Sequence, residues 1–77
     1  MSRPAPHPDT LRATFDAIAE MTACASTYAA VASDFAAIGD ARGLAYALRS
    51  ASAAILGAAD LVEAVRPSAK PKIGEAA

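Results

Sequence analysis

Two apolar stripes with helical spacing run through this chain, and they do not share a phase. The first joins Leu11, Phe15, Ile18, Met21, Ala25, Tyr28, Ala32, Phe35 and Ile38 in steps of three and four, the recurrence expected of one buried helix face. The second joins Leu44, Leu48, Ala51, Ile55, Ala58, Val62 and Val65 in the same steps. Extending the first stripe past Ile38 lands on Arg42, Ala45 and Arg49, so a single rod would carry two arginines on its apolar face. The chain must break between the stripes.

The residues at the break suit a turn. Gly39 follows the end of the first stripe, where a left-handed helix cap is most often glycine, and Asp40 can cap the next helix at once. Pro8 fits the first helical position, where its missing N–H would be unpaired anyway, and Asp9 meets the positive end of the helix dipole. At the far end Arg66 precedes Pro67, and a residue before proline is pushed out of the helical region. These signals predict an all-α fold: an antiparallel two-helix hairpin over 8–66, with helices at about 8–38 and 41–66. Residues 1–7, with Pro4 and Pro6, read as a flexible arm, and 67–77 as a disordered tail without periodicity.

A hairpin made of this sequence has little with which to close a core. Alanine supplies 23 of the 77 residues, and the aromatics are only Phe15, Tyr28, Phe35 and Tyr46. Alanine favours helix because it loses no side-chain entropy there, but two helices alone cannot enclose an apolar stripe. Pairing of hairpins into a four-helix bundle, as a homo-oligomer, is the expected remedy.

Charge spacing locates the expected contact. The windows 21–33 and 50–59 contain no charged residue, and folding at Gly39 and Asp40 lays them side by side. The result is a bare belt about 15 to 20 Å long at 1.5 Å per residue, where a lone hairpin would ordinarily carry Lys and Glu. Ala25, Ala29, Ala32, Ala51, Ala54 and Ala58 within it, Ala47 just outside its edge, and Tyr28, Ile55 and Gly57 are the expected self-interface. Gly57 costs about 1 kcal/mol in a helix relative to alanine, so close packing against it is the compensation anticipated there.

Several function classes are disfavoured. A net charge of −1, from seven basic and eight acidic residues, offers no basic cluster to neutralise phosphates, so nucleic acid is not an expected partner. The proline-broken start "MSRPAPHP" lacks the apolar core of an export signal, and the longest charge-free runs fall short of the roughly 20 residues that span a bilayer. His7 is the sole histidine and has no neighbouring ligands, so no metal or cofactor is expected. Asp16 and Glu20 project away from the stripe, which argues against paired-carboxylate chemistry. Cys24, the one cysteine, points to a reducing compartment, the cytoplasm by default. It is expected as a buried structural thiol beside the stripe, with a disulfide across a dimer axis as the alternative. Ile73, alone between Lys72 and Gly74, is a candidate docking residue for a larger protein partner.

Residues 28–51 resemble one tetratricopeptide helical pair, with Tyr28, Val31, Ala32 and Phe35 before "GD" at 39 and 40, then Leu48 and Ala51; Leu44 stands where that repeat keeps a small residue. Only one such unit is present, against the three or so that a stable array needs. In outline the hairpin is also similar to small type VII secretion substrates, with "AIGDARG" in place of their Trp-x-Gly turn. The expectation is a non-enzymatic helical interaction protein: a homo-oligomeric regulator, scaffold or accessory subunit of another protein. The alternative is a secreted or surface-associating hairpin that pairs with a different helical partner.

Overall fold

The first helix begins where proline and histidine together settle its unpaired donors. In the computed structural model, which describes residues 7–66, α1 spans Pro8–Ala37. Pro8 has no N–H to satisfy, and the Asp9 N–H donates to His7 Nδ1 at 3.1 Å, so His7 acts as the N-cap. The arm before His7, the tail from Pro67 onward and the Ile73 docking position lie outside the described residues.

The turn is built from three residues, each with a separate task. Ile38 closes α1 as a half-helical cap, and Gly39 follows with φ +73°. Gly39 N–H donates to Ala36 O at 3.1 Å and Asp40 N–H to Phe35 O at 2.9 Å, the paired bonds of a Schellman motif, in which two otherwise orphaned carbonyls find donors. Asp40 then serves the next helix as well: its carboxylate accepts from Gly43 N–H at 2.9 Å and its carbonyl from Leu44 N–H at 2.9 Å. One residue thus ends the caps of α1 and begins those of α2, Ala41–Val65. Each helix stops one residue short of the expected bounds. Ile38 is a cap, and Arg66, held at ψ 143° before Pro67, cannot stay helical.

The two helices pack against each other as a hairpin. Its register is given by contacts along the seam: a Cβ on Gly57 would meet Met21, and one on Gly43 would meet the Phe35 ring, while Tyr28 and Tyr46 lie edge to face with centroids 6.2 Å apart. Met21 therefore stands opposite Gly57, and the charge-free windows overlap from Met21 to about Tyr28 against Ser50 to Gly57. That is about 12 Å of belt, shorter than the windows suggest, because Arg49 sits at its edge on the turn side.

The seam is lined with alanine. Ala25 and Ala32 of α1 and Ala47 and Ala58 of α2 are at most 5% exposed, and no large side chain is fully buried among the described residues. Small residues let the helix backbones approach closely, and this choice corrects the second stripe. The positions facing α1 are Leu44, Ala47, Ala51, Ala54, Ala58, Leu61 and Val65, whereas Leu48, Ile55 and Val62 are exposed. The stripe read from the sequence had merged two seven-residue series, 44/51/58/65 in the seam and 48/55/62 outside it. A seam that closes on Ala47 and Ala54 leaves no room for the bulkier series beside them.

Candidate functional site

Because Ala47 points into the seam and is fully covered, its neighbours Tyr46 and Leu48, each about 100° away around the helix, leave by opposite flanks of the hairpin. The same holds around Ala25 and Ala32 on α1. Cys24 and Val31 go to the tyrosine flank, Ser26 and Ser33 to the leucine flank. The hairpin consequently has two apolar sides, neither of which it covers itself.

On the leucine flank, Leu48, Ile55 and Val62 recur every seven residues and form a straight ridge, half exposed along its length. A shallow open depression of about 390 Å³ lies beside it, lined by Leu48, Ala51, Ser52, Ile55 and Leu56. Leu56 is exposed more fully, at 65%. The α1 side of this flank is low, with Ser26, Ala29 and Ser33 at its middle and Phe15 toward the open end. Thr22 is less polar here than its formula suggests. Its hydroxyl proton is shared between the carbonyls of Ile18 and Ala19, both at 3.0 Å, so it is not free to donate elsewhere.

The tyrosine flank is built around Tyr28 and Tyr46, whose rings meet at 76°. The Tyr46 hydroxyl pushes the Tyr28 phenol above the ordinary tyrosine range, with a smaller contribution from Cys24, while Ser50 acts the other way. Cys24 is free and exposed, which corrects its expected burial. It follows the stripe in spacing, but the seam runs through Ala25, one residue on. Val31 lies on the same side, and Ile38, 75% exposed, marks its turn end.

The expected self-interface residues divide into three groups. Ala25, Ala32, Ala47 and Ala58 are buried between the helices of one chain, so a second chain cannot reach them in this hairpin. Tyr28, Ala51, Ala54 and Gly57 are half-buried along the seam edges. The compensation for Gly57 comes from within the chain, where Met21 Cε stands 3.2 Å from the place of a Cβ. Ala29 and Ile55 are exposed and lie on the leucine flank. The sequence reading missed that Leu48 and Val62 join Ile55 there. Their seven-residue spacing was the available signal, hidden because all three also fit a three-and-four stripe.

Chemistry is sparse on both flanks. Among the described residues no group of three or more His, Cys, Asp or Glu side chains is placed to hold a metal ion, and no helix is long and apolar enough to cross a membrane. The charged side chains that pair do so locally on exposed surface: Arg12 with Asp16 at 3.0 Å and Arg66 with Glu63 at 2.8 Å. Such pairs add at most about 1 kcal/mol. Compared with known protein families, characterised proteins and solved structures, the chain matches none.

Proposed function

We propose that this chain is a non-enzymatic helical interaction protein that works as a homo-oligomer, with hairpins paired into a four-helix bundle, and that regulates, scaffolds or accompanies another protein. One observation carries the reading. Eight large apolar side chains, from Val31 at 37% to Ile38 at 75% exposed, remain uncovered while the seam buries only alanines. Exposed apolar side chains on that scale, three of them (Leu48, Ile55 and Val62) in line along α2, mark an association surface. The cytoplasm is the proposed compartment, on the ground that an exposed lone thiol at Cys24 suits reducing conditions.

Light scattering across a dilution series, with circular dichroism on the same samples, tests the proposal. A helical species of two or more chains that dissociates on dilution is expected. A fully helical monomer at every concentration would overturn it.

A second reading is favoured by the presence of apolar side chains on both flanks, since one pairing covers only one of them. In that reading the hairpin, secreted or surface-associated, pairs with a different helical protein. A chain that stays monomeric and weakly helical until a partner is added would support it.

A further inference from the structure

The order of charges along α2 runs against its own dipole. Arg42 stands in the first turn and Arg49 in the N-terminal half, while Asp60 and Glu63 occupy the C-terminal half, with no acid in the first turn. A helix dipole favours the reverse order, so this arrangement does not serve α2 in isolation. Within the described residues Arg42, Arg49 and Asp60 form no ion pair. The arrangement is complementary to another α2 running in the opposite direction.

The ridge has the matching symmetry. Ile55 is seven residues from Leu48 and seven from Val62, so two antiparallel copies of α2 centred on Ile55 bring Ile55 against Ile55 and Leu48 against Val62 at both ends. The same registration sets Arg49 of each copy level with Asp60 and Glu63 of the other, twice by symmetry. A parallel pairing would instead oppose Arg49 to Arg49 and Asp60 to Asp60. On α1, equal counting from the axis places Phe15 of one copy over the small Ala29 and Ser33 of the other, filling the low part of the flank.

We infer that the leucine flank is the self-association face, and that the occupant is a second copy of this chain whose α2 packs antiparallel on the Leu48, Ile55 and Val62 ridge with Ile55 at the two-fold axis. The inference rests on the homo-oligomer reading above and adds its face, direction and register. The tyrosine flank is then left open on both outer sides of the dimer.

Cross-linking tests it in a Cys24→Ser background, with helicity checked for every variant. In a glutathione redox buffer Ile55→Cys should form a disulfide dimer with itself. Leu48→Cys and Val62→Cys should cross-link poorly alone, but when mixed should give the mixed dimer in roughly tenfold excess over either homodimer. Efficient cross-linking of Leu48→Cys to itself and of Val62→Cys to itself would overturn the antiparallel register. If no ridge position cross-links while light scattering still gives a dimer, the face is wrong and the homo-oligomer reading stands; a helical monomer overturns both. Independently, Arg49→Glu should weaken dimerisation by about threefold to tenfold, the scale of two exposed pairs, and adding Asp60→Arg should restore it. A double variant as weak as the single one would overturn the charge registration.

Discussion

Three residues carry more of this molecule than their size suggests. Gly43 has no room for a side chain, because a Cβ there would stand 2.5 Å from the Phe35 ring. Gly57 is merely tight, with Met21 Cε at 3.2 Å, and a methionine end adjusts easily. Alanine gains about 1 kcal/mol over glycine in a helix, so the two substitutions should differ in sign. Gly57→Ala is expected to raise the thermal midpoint by a few degrees, whereas Gly43→Ala should lower it unless Phe35→Leu is added, as followed by circular dichroism. Tyr28 provides a pH test. Its phenol is raised by Tyr46, so the folded state holds that proton more tightly than the unfolded chain. The associated stability is complete below the unfolded tyrosine value of about 10 and is lost as pH rises through the folded one. Tyr46→Phe should move the Tyr28 phenolate absorbance midpoint down; an unchanged midpoint would mean that the two hydroxyls do not interact.

At the scale of the elements, the turn decides whether there is a hairpin at all. Gly39 has φ +73° and nothing within 4 Å of its would-be Cβ, so substitution there perturbs the backbone and no contact. Gly39→Ala should therefore cost about 1 kcal/mol, the penalty of a left-handed non-glycine residue, and Gly39→Asn less. Chemical denaturation at fixed chain concentration measures both. A cost near zero for the alanine variant would show that the chain can leave the Schellman geometry without loss. Threonines at 14, 22 and 27 return their hydroxyls to carbonyls of the preceding turn, which keeps these β-branched residues compatible with α1.

At the scale of the whole molecule, the distribution of large and small residues is inverted relative to an ordinary globular core. Alanine occupies the seam, and Leu48, Ile55, Leu56 and Val62 lie outside it. If a second copy covers one of those flanks, as proposed, mass action makes stability depend on concentration. The thermal midpoint should climb by several degrees over a hundredfold increase in chain concentration. Ala29→Arg, on the leucine flank but outside the seam, should abolish that dependence. A midpoint independent of concentration in the parent chain would place the stability within one hairpin and remove the case for self-association.

What the sequence determined by itself was everything local. The two stripes out of phase, Gly39 with Asp40 between them, Pro8 at one end and Arg66 before Pro67 at the other specify two helices and a turn. The proline, glycine and cap signals act through backbone geometry within a few residues, and the stripes through the helical repeat of a single segment. Which face of α2 meets α1 was decided only by tertiary structure. A stripe of three-and-four steps through Leu44, Leu48, Ala51 and Ile55 fits a helix wheel as well as the seam through Leu44, Ala47, Ala51 and Ala54 does, and hydrophobicity alone prefers the larger residues inside. Close approach of two backbones prefers the smaller ones, and that preference appears only when a second helix is present to approach. The same choice moved Cys24 outward, filled the space at Gly57 with Met21, and set Leu48 and Val62 of the expected buried stripe beside Ile55 in an exposed ridge.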